Sequence, residues 1–282
     1  MRTMKYGIPP VIMLLIVSFL LIVVFSMLAP VLFPIDLGAT SLTNRLLPPS
    51  FMEGGKPEHF LGTDHLGRDF MIRLFYGTNN SLVIAFAGTL IATVIGTLLG
   101  VLAGLYKGVI DTIVIFLADV RLSIPSIIIA IVFSSIFGAG KLVLVMIIGL
   151  TGFASFARLV RGQTIQLKEA NFMECSRALG ASKIRILFEH VFVNISSPLI
   201  VHATMRISSF ILLESSLSFL GLGIQPPDVS LGVMVSVGRD HLINSWWMSI
   251  IPSLVIVVIV LQVSMIGDWL RDLLDPKLKN NS

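Results

Sequence analysis

Two ionisable residues stand inside an apolar run of this chain, Arg206 and Glu214, both within Ile195 to Leu222. Placing such a charge mid-membrane costs roughly 2.5–3.5 kcal/mol even on permissive insertion scales, so a chain that keeps two has a use for them. Ser196, Ser197, His202, Ser208, Ser209, Ser215, Ser216 and Ser218 make the same run unusually polar. A helix of this composition cannot face lipid all round. It is expected to line a cavity or a protein interface, with Arg206, Glu214, Ser215 and Ser218 as candidate residues of a solute pathway. Arg206 and Glu214 are eight positions apart, roughly 80° around a helix, which argues against a direct pair. Each needs a partner from another segment.

The other chemistry-bearing constellations are weaker. Asp119 and Arg121 fall in the apolar run Ile113 to Phe137, but near its polar end, where a long basic side chain reaches the interface. His59, Asp64 and His65 could be read as metal ligands, yet two histidines six apart in a glycine-rich stretch read more simply as surface residues. Gly138-Ala139-Gly140-Lys141 imitates a phosphate-binding loop. Ser135 stands where the motif needs glycine, and Leu142 where it needs Ser or Thr. Any ATP used must therefore be bound by another chain. No closely spaced nucleophile and base is present, which argues against a membrane-embedded enzyme.

The elements that would position these groups follow from composition. With 55% hydrophobic and 13% charged residues among 282, the chain has too little polar surface to coat a soluble globule. It is read as an all-α integral membrane protein with six transmembrane helices: Ile8 to Phe33, Ser81 to Leu105, Ile113 to Phe137, Leu142 to Ala157, Ile195 to Leu222, and Trp246 to Leu270. The first run exceeds a usual signal-peptide core, and its best cleavage residue, Ala29, is followed by Pro30. Residues 1–75 comprise the first helix and an extracytoplasmic segment, 76–270 the five-helix core, and 271–282 a cytoplasmic tail. Gly88, Ala92, Gly96, Gly100 and Gly104 recur every fourth residue, a spacing that lets another helix approach closely. Trp246 and Trp247 are placed at one membrane interface, Trp269 near the other.

Orientation follows from the basic residues. Twelve of twenty Lys and Arg lie on the side of the termini, six on the other, and Arg121 and Arg206 inside spans. Both termini are therefore cytoplasmic, and the net charge of +4 is a topology signal rather than a nucleic-acid footprint. The lone Cys175 excludes an internal disulfide.

One long polar stretch, Gln166 to Asn194, lies on the cytoplasmic side and is read as two short helices. The first carries Phe172, Cys175, Ser176 and Leu179 on one face and stops at Gly180. Ser182 caps the second, where Ile184, Leu187, Phe188, Val191 and Phe192 oppose Lys183, Arg185 and Glu189. An amphipathic pair between two spans suits docking to a soluble partner.

Glu174 to Ser182 resembles the Glu-Ala-Ala loop of importer-type ABC permeases, with Cys175 and Ser176 in place of two alanines and Val193 where relatives often have proline. Leu61-Gly62-Thr63-Asp64-His65-Leu66-Gly67-Arg68-Asp69, Ser218 to Gly223, Gln225-Pro226-Pro227 and Leu274 to Leu278 resemble the dipeptide, oligopeptide and nickel branch. The resemblance implies a type I ABC importer permease fold. It also implies an ATPase-docking surface made by Glu174, Cys175, Ser176, Ala178, Leu179, Gly180 and Ala181. Its expected partners are a second homologous permease subunit, two ATP-binding cassette subunits, an extracytoplasmic substrate-binding protein and membrane lipid. ATP and Mg are expected on the partner subunits and no cofactor on this chain. Short peptides are the favoured solute, with nickel or a metal chelate as the alternative. An ion-coupled secondary transporter using Arg206 and Glu214 as a relay is the rival mechanism, though the six spans show no evident internal repeat.

Overall fold

The computed structural model describes residues 8–33, 38–170, 182 and 185–274. Helix α1 is Pro10–Leu32, α2 Phe70–Tyr106, α3 Val109–Ser123, α4 Ser126–Phe137 and α5 Lys141–Lys168. A π-helical segment, Ile186–Phe192, runs without a break into α6, Val193–Phe219. A short α7, Leu231–Arg239, and a long α8, Trp247–Leu274, complete the described elements. Among these residues the only strand-type pairing is an isolated bridge between Thr63 and Asp69.

Five helical stretches among the described residues are long and apolar enough to cross a membrane, and the count is six when α3 and α4, bent by 92° at their break, are taken as one span. The expected straight span from Ile113 to Phe137 is thus two half-helices. The cause is Pro125, which has no N–H to donate and forces Ile124 out of the helical region into an extended conformation.

Three other boundaries differ from expectation. Helix α2 begins at Phe70, inside what was read as loop, because Asp69 caps it by accepting from the Ile72 N–H at 3.0 Å. Polar Arg73, Thr78, Asn79 and Asn80 hide that first stretch from a hydropathy reading. Helix α5 extends eleven residues past Ala157, and α8 four past Leu270. The loop expected over Gly223 to Ser245 contains α7, whose valines and two glycines disguise its helical character.

Packing centres on α2 against α5, as the glycine spacing predicts. A Cβ on Gly96 would lie 2.4 Å from the Phe156 Cβ and 2.6 Å from the Phe153 carbonyl oxygen, and one on Gly100 2.6 Å from the Ala157 oxygen. Without a hydrophobic drive in lipid, this close approach supplies the dispersion energy that holds the pair. Helix α1 leans on α2 and α8 through Phe25 stacked on Phe75, and the Gln262 amide donates to the Ser18 hydroxyl at 2.9 Å. Trp247, expected at the membrane interface, is buried in the core instead, while Trp246 beside it remains exposed.

Candidate functional site

The polar residues of α6 separate onto two arcs. His202, Arg206, Ser209 and Ser216 fall within roughly 80° of the helix circumference, and each is half-exposed or exposed in this chain. Ser208, Glu214, Ser215 and Ser218 occupy the opposite arc and are buried. The first arc can meet a solute or a partner subunit; the second belongs to the protein interior. Arg206, thirteen residues from each end of α6, has its guanidinium over the Phe210 ring, 5.1 Å from the centroid. His202 on the same stripe is 3.3 Å from the Ser155 hydroxyl of α5.

Glu214 is fully enclosed. Its carboxyl group accepts from the Ser218 hydroxyl at 2.7 Å and Ser215 at 3.4 Å, and it also engages Ser81 of α2 and Ser230. Ser81 accepts from the Leu231 N–H at 3.2 Å, and Ser230 caps α7 by accepting from the Val233 N–H at 3.4 Å. One carboxyl group thus ties α2, α6 and the start of α7 together. Gly232 permits this, since a Cβ there would lie 2.3 Å from the Ser215 carbonyl oxygen. The expectation that Glu214, Ser215 and Ser218 line the pathway does not fit this geometry. They hold the outer helix α7 in place, and only Arg206 of the four faces an open surface. Replacing Glu214 with Ala should lower stability by about 2–4 kcal/mol, because it strands four buried hydroxyls, whereas Ser230→Ala should cost about 1 kcal/mol. Thermal unfolding in detergent, with the double variant less than additive, checks the shared cluster.

A second tie lies at the opposite end of the bundle. Arg161 of α5 grips Asp111 of α3 with two hydrogen bonds, one from Nη2 at 2.7 Å, and Arg158 pairs with Asp119. Lys168 donates to the Leu105 carbonyl at 2.7 Å, and Lys107 stands 3.5 Å from Glu169. The cytoplasmic end of α5 is therefore bolted to the α2–α3 turn. The same ion pair answers the question of Asp119, which is held by Arg158 rather than lying free in the span.

Glu174, Cys175, Ser176, Ala178, Leu179, Gly180 and Ala181 lie outside the described residues, as does the first helix expected there. The ends that flank them are described. Ser182 accepts from the Arg185 N–H at 3.2 Å, as the expected cap requires, and Arg185 pairs with Glu189 at 2.8 Å. Val191 is buried with Val101, Val160 and Ile195, but Phe188 is exposed, because π-helical winding shifts the face that an α-helical period assigns it.

The outer segment before α2 is built on Asp64. It accepts from the backbone N–H groups of Leu66 and Arg68 at 2.8 and 3.0 Å, and pairs with Arg68 at 2.6 Å and Arg73 at 3.3 Å. Gly67 makes the turn possible: its φ is +74°, and a Cβ would lie 1.8 Å from the Ser41 carbonyl oxygen. His59 pairs with Asp69 at 2.9 Å, and His65 stacks on His241 with centroids 5.9 Å apart. The three suggested metal ligands therefore point to three different partners, and no metal-binding cluster forms among the described residues. Burial, aided by Arg68, His241 and Arg73, holds the His65 imidazole below its usual pKa of 6.5 and outweighs the opposing effect of Asp64. The unfolded segment takes up a proton that the folded one resists, so the segment should lose stability as pH falls below about 6.5. His65→Gln should remove that dependence, measured as hydrogen-exchange protection of residues 38–69, corrected for intrinsic rates, between pH 7.5 and 5.5.

These features together define a polytopic helical membrane protein, tied at both ends and open along one polar stripe. The chain belongs to the family of binding-protein-dependent transport system inner membrane components, whose family model matches residues 96–280. It is 38% identical over 263 residues to the di/tripeptide transport system permease protein DppC of Pseudomonas aeruginosa, covering 93% of this chain and 87% of that one. It is 39% identical over 264 residues to the dipeptide transport system permease protein DppC of Haemophilus influenzae, covering 94% and 90%. The glutathione transport system permease protein GsiD of Pectobacterium atrosepticum is 39% identical over 228 residues, covering 81% and 76%. Among solved structures, an inward-facing methionine ABC transporter, MetNI, matches with a TM-score of 0.56 at 20% identity, covering 73% of this chain and 97% of that one. The fold is that of a type I ABC importer permease, and the chain is a multi-pass protein of the cytoplasmic membrane. It is a transport subunit that works with ATPase and substrate-binding partners, and ATP hydrolysis belongs to the ATPase.

Proposed function

We propose that this chain forms half of the pathway through which an ATP-driven importer carries short peptides inward. The observation that carries the substrate reading is the likeness, at 38 and 39% identity over nearly the whole chain, to permeases named for di- and tripeptide transport. Nickel is not favoured: His65 and His241 stack on each other, while His59 pairs with Asp69 and His202 meets Ser155 in separate segments. A second, homologous permease subunit supplies the other half of the pathway, and two ATP-binding cassette subunits carry ATP and Mg.

The coupling surface is the stretch from Glu174 to Ala181. Its carboxylate and small residues enter a cleft on the ATPase. The described struts support this reading. Movement of the loop pulls on α5 at one end and on the unbroken π-to-α6 helix at the other. Through Arg161–Asp111 and Arg158–Asp119, α3 must follow α5. The outer tie at Glu214 holds α7 to α2 and α6 while the inner ends move. Closure of the ATPases thus becomes rocking of the pathway from inward-facing to outward-facing.

The test is uptake of a labelled dipeptide and of labelled nickel, side by side, in cells with and without the gene. Loss of peptide uptake alone is expected. Loss of nickel uptake alone would keep the architecture and overturn the substrate.

A further inference from the structure

Arg121 and Arg206 are two cations within the spans for which the fold supplies no counter-charge among the described residues. Both Nε atoms are buried without a hydrogen-bond partner, and neither guanidinium joins an ion pair among the described residues. Arg121 reaches across the α3–α4 break, donating to the Ile124 carbonyl at 3.3 Å and the Ser126 hydroxyl at 2.9 Å. The nearest acid in sequence, Asp119, is already held by Arg158. Arg206 has only the face of Phe210.

Arg206 is midway along α6, and Arg121 is twelve residues into α3, roughly 18 Å of helix from its start. Both helices meet the same part of α5: Phe210 lies against Gly152, His202, one turn before Arg206, meets Ser155, and Asp119, two residues before Arg121, pairs with Arg158. The two guanidiniums are near enough to repel one another. Unneutralised like charges away from water are costly, and an anion held between their outer guanidinium nitrogens offsets the repulsion. The break also leaves the first N–H groups of α4 without intrahelical acceptors, which adds to the positive potential there.

We propose that Arg121 and Arg206 form a carboxylate station in the pathway, receiving the C-terminal carboxylate of a peptide as it passes. The assignment rests on the peptide reading above. Every short peptide with a free C-terminus carries this group, whatever its side chains, so the station serves a mixed substrate pool. The half-exposed stripe of α6 leaves room for those side chains.

The experiment uses the assembled importer in proteoliposomes, with saturating binding protein loaded with a labelled dipeptide. Arg206→Gln and Arg121→Gln should each cut the maximal uptake rate about tenfold, and Arg206→Lys should recover most of it. ATP hydrolysis stimulated by the loaded binding protein, and co-purification of the partner subunits, should stay within about twofold of the parent. Near-parental uptake by the double Gln variant overturns the station. So does a loss of uptake matched by loss of stimulated hydrolysis or of partner subunits, which would assign the arginines to an acid of a neighbouring subunit. If the parent importer moves no peptide at all, the peptide reading itself fails, and that result is separate from either outcome.

Discussion

Glu174→Lys should leave the chain inserted and folded while lowering ATP-driven uptake about a hundredfold or more. Reversing the sign of a carboxylate that docks in a protein cleft forfeits its charge-assisted bonds and leaves a cation desolvated against donors. Losses of roughly 3–5 kcal/mol follow from breaking such a pair. Neither tie that holds the bundle involves Glu174: the inner one uses Asp111, Asp119, Arg158 and Arg161, the outer one Glu214 and its serines. Membrane level and thermal stability should therefore match the parent, and co-purification of the ATPase should fall with uptake. Unchanged uptake by a properly inserted variant would count heavily against the docking role.

Gly96→Val is expected to do the reverse, removing folded protein without touching any pathway group. Its first added carbon would sit 2.4 Å from the Phe156 Cβ and 2.6 Å from a backbone oxygen, and neither can yield without separating α2 from α5. Overpacking usually costs about 1–3 kcal/mol, and a rigid helix–helix seam lies at or above the upper end. Gly162→Ala on α5 is the matched control, since a Cβ there meets nothing within 4 Å. It should be silent or slightly stabilising, by up to about 1 kcal/mol from helix propensity. Melting temperature and monodisperse yield in detergent read both. Equal behaviour of the two variants would mean that the seam is looser than its geometry indicates.

Much of this architecture is legible in the residues because membrane helices obey few rules. Apolar runs give the spans, and the fourfold glycine spacing of α2 gives the seam with α5. What hydropathy misses has a local cause in each case. The start of α2 is polar because Arg73 pairs with Asp64 and Asn80 donates to the Val229 carbonyl, contacts that no window average can see. The break at Pro125 could have been found, since a proline in mid-span restricts the residue before it. Helix α7 could have been suspected from Ser230 followed by Leu231, Met234 and Val235, an N-cap before a helical period.

The candidate site divides along the same line. Composition marked α6 as polar, but only a helical wheel anchored on contacts separates the stripe holding Arg206 from the buried arc holding Glu214. Their 80° separation was visible; which of them faces inward was not. Glu214 is explained by Ser81 and Ser230, over a hundred residues away and sixteen residues on, respectively. Arg121 shows the opposite case. A snorkelling arginine was the simpler reading from sequence, and the bend turns it inward toward Ser126 instead.

The most direct measurement of the central claim is accumulation of a labelled dipeptide in proteoliposomes holding the assembled importer, with binding protein outside its extracytoplasmic face. ATP is present on the ATPase side, and ionophores abolish every ion gradient. The account predicts accumulation that requires both ATP and binding protein and is indifferent to the ionophores. Accumulation that persists without ATP and collapses with the proton gradient would contradict it.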